Sequence, residues 1–220
     1  MKILKFKLQF TLLAMLFCAL LSEAHDFEVN GIYYTVTSFE TSEVSVDGLN
    51  NSLEGIVTIP SSILVSDRTF TVTSIISAKG ATIESVVIPS SVTKIGYAAF
   101  AGSSIEEIYL PDNVTSLGES AFINCSCLKK IRISPQITTL PKSVFEKCSS
   151  LVSIDWEPNP SSHGSISERA FYYCTALKSI RIPASMNSLG KYYANHSGLT
   201  AFYKCTALDS LIIEDGSSVQ

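Results

Sequence analysis

The sequence predicts a repeat solenoid, mainly β with short helical turns, and three observations predict it. Ile108-Tyr109-Leu110-Pro111, Val114, Leu117-Gly118, Ala121-Phe122, Cys125 and Leu128 recur as Ile131-Arg132-Ile133, Ile137, Leu140, Val144-Phe145, Cys148 and Leu151, an offset of 23 residues. The same phrase comes before these copies as Val86-Val87-Ile88-Pro89, Val92, Ile95-Gly96 and Ala99-Phe100. It comes after them as Ile180-Arg181-Ile182-Pro183, Met186, Leu189-Gly190, Ala201-Phe202, Cys205 and Leu208. Within each copy the apolar spacing starts at two residues and ends at three or four. A fixed period in the twenties means one supersecondary unit stacked on copies of itself, because one copy cannot bury its own apolar face.

The first 24 residues read as a signal peptide. Lys2, Lys5 and Lys7 make a basic start, Leu8 to Leu21 is apolar apart mainly from Gln9 and Thr11, and Ser22 and Ala24 place small residues before a cleavage point at His25. About 14 apolar residues are short of the ~20 that a membrane span needs. A lipid anchor at Cys18 is disfavoured by the bulky Leu16-Phe17 in front of it. Cleavage removes three lysines and Glu23, which takes the net charge from −4 to −6. Such a chain has neither the electrostatic footprint for nucleic acid nor the basic runs that draw proteins to anionic membranes. A soluble exported protein is expected, secreted or held at the cell surface.

Residues 25–53 read as an N-terminal β cap. Phe27, Val29, Ile32, Tyr34 and Val36 alternate with other residues, Asn30-Gly31 is a hairpin signal, and Asp47-Gly48 reads as a further turn after Val44 and Val46. A solenoid needs such an element over the apolar end of its first coil. Residues 54–214 read as about six coils. The first is degenerate: Val57, Ile59-Pro60 and Ile63 match the phrase, then Asp67-Arg68 and Phe70 to Ile75 make a hairpin-like detour. The fourth keeps Ile154, Trp156, Ile166, Ala170-Phe171, Cys174 and Leu177, with three extra residues between Glu157 and Ser165. The fifth carries eight extra between Lys191 and Thr200, and a sixth begins at Leu211-Ile212-Ile213. Residues 215–220 are a tail; a truncated one would make the chain a fragment of a longer repeat array with a structural role, a further alternative to protein binding. Leu211 to Ile213 would leave an open strand edge, so self-association through the last coil is expected.

One copy explains the others. Ile108 and Leu110 lie two apart and point to one side of a strand, with Tyr109 on the other. Pro111 stops the strand and Asp112-Asn113 suit a turn. Val114 and Leu117 make a second extended segment, Gly118 lets the chain bend, and Ala121, Phe122, Cys125 and Leu128 suit a short helical turn. Cys125, Cys148, Cys174 and Cys205 each follow the phenylalanine by three residues. With Cys127 five cysteines remain after the leader, an odd count, so a buried, reduced ladder is expected over a disulfide framework.

The motifs "IPSSVTKIGYAAF" at Ile88 to Phe100, "LPDNVTSLGESAFINCSCLKKI" at Leu110 to Ile131 and "AFYYCTALKSIRIP" at Ala170 to Pro183 resemble the BspA-like leucine-rich repeat family of exported and surface proteins. "GIYYTVTS" at Gly31 to Ser38 and "FTVTSI" at Phe70 to Ile75 resemble the N-terminal part of such proteins. The resemblance covers about residues 27 to 213. It implies a right-handed solenoid with a parallel sheet on its concave side, and adhesion or protein–protein contact at a surface. It brings no catalytic residue and no cofactor. Ser134, Glu157 and Glu214 stand where the pattern usually has proline, which puts the outer turns of coils three, four and six in question.

The candidate binding residues follow from the strand geometry. Val87, Tyr109, Arg132, Asp155, Arg181 and Ile212 hold the outward strand position of successive coils, preceded by Glu107 and Lys130. Stacking brings them into a column at ~5 Å spacing. Tyr and Arg are favoured anchors, although Arg132, Asp155 and Arg181 could satisfy one another as an ion ladder. The fifth-coil insertion adds Tyr192, Tyr193, Asn195 and His196, an aromatic loop that suits protein or sugar contact and that a solenoid also tolerates as a solvated excursion. Trp156 aligns with inward positions and reads as core, and His163 as a loop residue. Past His25 only His163 and His196 remain, with no nucleophile elbow, phosphate loop or metal-protease helix, so no enzyme, metal or cofactor is expected. The expected partner is an extracellular or surface protein, host matrix or neighbouring cell, with a glycan as the alternative.

Overall fold

The computed structural model describes residues 25–157, 164–182, 186–189 and 200–213. The leader, the tail, His163, Tyr192, Tyr193 and His196 lie outside the described residues.

The N-terminal cap is a three-stranded meander. β1 (Phe27–Val29) and β2 (Ile32–Ser38) form a hairpin with Val29 opposite Ile32. Asn30 and Gly31 take φ values of 53° and 78°, the two left-handed residues of a type I′ turn. β2 then pairs antiparallel with β3 (Glu43–Leu49). Asp47-Gly48 is not a turn; it lies inside β3. The register shifts there, with Tyr33 opposite Gly48 and Tyr34 opposite Val46, so Asp47 is the extra residue of a bulge. Its carboxylate accepts a hydrogen bond from Thr35 Oγ1 at 2.9 Å. Gly48 leaves room for Tyr33, whose ring a Cβ at that position would meet at 3.0 Å.

The degenerate coil follows. β4 (Ile56–Thr58) leads to a second hairpin, β5 (Ser62–Val65) with β6 (Arg68–Ile75), turned by Ser66 and Asp67 at φ 47° and 66°. This is the expected detour. The regular coils then contribute two short strands each: β7 (Ser85–Val87) and β8 (Lys94–Ile95), β9 (Glu107–Tyr109) and β10 (Ser116–Leu117), β11 (Lys130–Arg132) and β12 (Thr139–Leu140). They continue as β13 (Ser153–Asp155) and β14 (Gly164–Ile166), β15 (Ser179–Ile182) and β16 (Met186–Leu189), with β17 (Ser210–Ile213) last.

These strands form two walls. One is the parallel sheet β13-β11-β9-β7-β4, with β15 and β17 paired in parallel beyond it. The other has the order β1-β2-β3-β6-β8-β10, with β5 beside β6, and is followed by β12-β14-β16. The cap thus extends only the second wall, β3 running parallel to β6 and β6 parallel to β8. It closes the first coil by burying Ile32, Tyr34, Val44 and Val46.

Turns make the third side. The expected short helical turn is realised as consecutive three-residue bonds, such as Ile123 N–H to Ser120 O and Cys125 N–H to Phe122 O. Left-handed residues separate them, Ser120 at φ 57° and Asn124 at 59°, so no helix propagates. A one-turn 3-10 helix forms at Thr200–Phe202. Phe122 N–H donates to Val144 O at 2.9 Å and Asn124 N–H to Glu146 O at 2.8 Å, so this side has its own ladder between coils.

Phenylalanines stack beneath the turns. Phe100, Phe122, Phe145, Phe171 and Phe202 have consecutive centroids 5.2, 5.6, 5.5 and 5.2 Å apart. The thiols of Cys125, Cys148, Cys174 and Cys205 donate to Phe100, Phe122, Phe145 and Phe171 O at 3.0 to 3.1 Å. All five cysteines among the described residues are unpaired thiols, and of these only Cys127 is exposed.

Two sequence expectations need a different physical reason. Gly118 does not adopt a positive φ; it serves close approach, because a Cβ there would lie 2.4 Å from the Gly96 carbonyl carbon. Ser134 keeps the outer turn of the third coil with its proline one position later, at Pro135. Its hydroxyl donates to Asp112 O at 3.0 Å and accepts from Gln136 N–H at 3.2 Å, while Ile137 N–H closes on Ser134 O. Trp156 is buried, as its inward alignment requires, and Nε1–H donates to Ile137 O at 2.8 Å.

Candidate functional site: the outward column of the first wall

In β4, β7, β9 and β11 the middle residue is buried and its two neighbours are exposed or half-exposed, while in β13 the middle residue, Ile154, is itself half-buried. The register sets those exposed residues in two rows. Thr58 lies opposite Val87, Tyr109 opposite Arg132, Arg132 opposite Asp155, and Arg181 opposite Ile212. In the second row Ser85 faces Glu107, Glu107 faces Lys130 and Lys130 faces Ser153. The structure therefore brings Glu107, Tyr109, Lys130, Arg132 and Asp155 onto one surface. Arg181 holds the same strand position two strands on from Arg132.

The contacts within this surface are weak and local. Tyr109 Oη–H donates to Glu107 Oε2 at 3.3 Å, and Lys130 Nζ stands 6.0 Å from the centre of the Tyr109 ring. Arg132 does not form the alternative ion-ladder rung with Asp155. Its Nη2 lies 2.7 Å from Asp112 Oδ1 and its Nη1 donates to Leu110 O at 3.5 Å. Asp112 belongs to the outer turn of the preceding coil, so the guanidinium reaches back around the sheet corner rather than along the column. That exposed pair leaves the Tyr109 face and the Asp155 carboxylate available to solvent.

A second cluster escaped the sequence reading. Glu146, only 7% exposed at its side chain, is held by Arg169 through bonds of 2.6 and 3.1 Å. The Arg169 guanidinium lies 4.2 Å from the Tyr172 ring centre, and Tyr172 stacks on Tyr203 at 5.2 Å. Tyr173 packs against both rings, and Lys204 Nζ lies 5.7 Å from Tyr203. The signal lay in "AFYYC" at Ala170 to Cys174 and "AFYKC" at Ala201 to Cys205, two aromatic turns whose separation is lengthened by the insertion.

Of the ladder thiols only Cys125 is pushed down, by its hydrogen bond with Cys148, and it is fully buried. Burial pushes the Cys148 and Cys174 thiols well above their ordinary range and the Cys205 thiol up to about 11, which disfavours the nucleophilic thiolate. Among the described residues no three His, Cys, Asp or Glu side chains are grouped to hold a metal ion. Among them, too, no helix is long and apolar enough to cross a membrane.

The model of the BspA type leucine rich repeat region matches this chain in six copies, over residues 71–200 and 165–219. The chain belongs to this family. Among solved structures, this leucine-rich repeat chain is similar to the pneumococcal vaccine antigen PcpA, with a TM-score of 0.69 and 25% identity over 87% of this chain and 50% of that one. It is also similar to a leucine-rich repeat protein from Eubacterium ventriosum, with a TM-score of 0.62 and 24% identity over 84% and 49% of the two chains. The chain spans about half the length of each. No curated protein matches it.

Proposed function

We propose that this leucine-rich repeat chain is an exported or cell-surface protein that binds an extracellular protein, in the manner of an adhesin, through the outward column of its first wall. One observation carries the reading. The parallel register sets an aromatic ring, two cations and an anion (Tyr109, Lys130, Arg132 and Asp155) side by side on a rigid sheet, the chemistry that interface anchors use. Membership of the family and similarity to a pneumococcal vaccine antigen support a place outside the cell. A scaffold role suits the repeat fold of the family.

The test is an array of extracellular-matrix proteins and glycans probed with residues 25–220, beside the Arg132→Glu/Arg181→Glu double variant. Protein hits that the double variant loses by tenfold or more agree with the reading. Protein hits retained at full affinity would overturn it. The stacked Tyr172–Tyr203 pair favours a second reading, a glycan platform, to which Tyr192 and Tyr193 would belong by sequence. Glycan hits that survive the charge reversal and vanish in Tyr203→Ala would promote it.

A further inference from the structure

We propose that the junction between the cap and the first coil docks an extended peptide, which adds as a strand to the outer edge of β4 and brings a basic side chain to Glu54. The argument begins with main-chain bonds. Gly55 O accepts from Glu84 N–H at 2.8 Å and from Ser85 N–H at 3.3 Å, and Ile59 N–H donates to Val87 O at 3.0 Å. Residues 55 and 59 therefore face β7. A parallel strand points alternate residues to opposite edges, so the N–H and C=O groups of Ile56 and Thr58 face away from β7.

Among the described residues no strand covers that edge, because β4 is the last strand of its sheet and the cap extends the other wall. β4 also lacks the usual protection of an open edge: its three residues hold no lysine, proline or bulge. Ile56 is 66% exposed. Two unpaired residues on one edge repeat at ~6.6 Å, the spacing that another extended main chain matches and that a sugar ring does not.

A cavity of about 270 Å³ opens beside this edge, lined by Val29, Tyr34, Leu53, Glu54, Ile56 and Thr58 among others. Tyr34 is fully buried and its hydroxyl finds no hydrogen-bond partner. A buried polar group without a partner is rare in a folded protein and points to a missing acceptor; a peptide carbonyl supplies one. The charge is one-sided. Glu54 lines the cavity with no Lys or Arg beside it, and the exposed Glu28 and Glu84 flank it on β1 and ahead of β7. The occupant is therefore an extended segment with Lys or Arg on the face it shares with Glu54 and Ile56 and apolar side chains on the alternate face, beside Val57.

The probe is a capped eight-residue peptide of alternating Val and Lys, offered to residues 25–220. Amide hydrogen exchange at Ile56 and Thr58 should be fast in the protein alone and slow at least tenfold with peptide. Methylating alternate peptide nitrogens, or replacing Lys by Glu, should weaken binding at least tenfold. Thr58→Pro, which removes an N–H that bonds nothing among the described residues and is tolerated on an edge strand, should abolish binding with the circular dichroism unchanged. Tyr34→Phe tests the cavity separately and should weaken binding several-fold in a chain that still folds, whereas Arg132→Glu/Arg181→Glu should leave it unaltered. Protection of Ile56 and Thr58 without peptide, equal binding of the methylated peptide, or shifts confined to Tyr109 to Asp155 would each overturn the proposal.

Discussion

The turn side and the sheet side of each coil are built from the same period and treat it in opposite ways. On the turn side the column reads Phe100, Phe122, Phe145, Phe171 and Phe202, ring on ring, with a cysteine thiol bonding back to the preceding coil at each step. On the sheet side it reads Val87, Tyr109, Arg132, Asp155, Arg181 and Ile212, six positions with five kinds of side chain. The backbone ladder runs from coil to coil in both places, with a break on the sheet side between β13 and β15. What differs is burial. A buried column must fill one shape at every step, so it repeats; an exposed column is held by its backbone alone, so its side chains are open to variation. In a solenoid the non-repeating column is the surface available for recognition.

That contrast can be broken most directly at Phe122. Its ring stacks between Phe100 and Phe145, and Phe122→Ala removes both contacts and leaves a cavity that the backbone ladder holds open. A loss of ~3–5 kcal/mol in urea unfolding is expected for a large aromatic deletion in a core. Tyr109→Ala, an equally aromatic deletion on the sheet side, should alter stability by no more than ~0.5 kcal/mol. Similar losses at the two positions would mean that the columns are not energetically distinct.

Gly118→Ala comes next. A single methyl group would lie 2.4 Å from the Gly96 carbonyl carbon and 2.6 Å from Tyr97 N, and backbone cannot swing aside as a side chain can. A loss greater than ~1 kcal/mol is expected, opposite in sign to the stabilisation that Gly→Ala gives where space and φ allow it. Gly102→Ala is the companion: its Cβ would meet nothing within 4 Å, but φ is 69°, so it reports strain without collision.

The buried thiols add a pH signature. Cys205 titrates at about 11 in the folded chain against an ordinary 9.0, because of burial. The folded state keeps the proton after the unfolded state has lost it. This contribution is therefore fully present below pH 9, and stability falls as pH rises from there through about 11. The urea midpoint should decline over that window, and less so in Cys205→Ala. Tyr34, raised to about 12 by burial, adds a decline of the same sign at higher pH, which the cysteine variant leaves in place.

How much of this could be read from residues alone divides along physical lines. The inward positions, the first-coil hairpin and the burial of Trp156 were legible because each depends on a period or a local turn. The bulge at Asp47-Gly48 was not, since the same dipeptide serves a turn or a bulge and the pairing with Tyr33 decides. Gly118 reads in sequence as a point of conformational freedom, whereas its constraint is the neighbouring coil. Arg132 chose Asp112 over Asp155, a contact across a corner that no strand periodicity encodes. Tyr172 and Tyr203 meet because the insertion between them leaves the stacking of their coils intact.

The smallest expected effect is the most informative about function. Arg132→Glu breaks an exposed pair whose two side chains are 38% and 64% accessible, and such pairs contribute no more than ~1 kcal/mol. The variant should unfold within that margin of the wild type and keep its circular dichroism. Asp112→Ala should do the same while freeing the guanidinium to turn along the column toward Asp155. If the column is the binding surface, the two variants part company in affinity: Arg132→Glu loses binding tenfold or more, whereas Asp112→Ala keeps it or strengthens it. Equal affinity in both, at unchanged stability, would mean that the variable column is merely solvated.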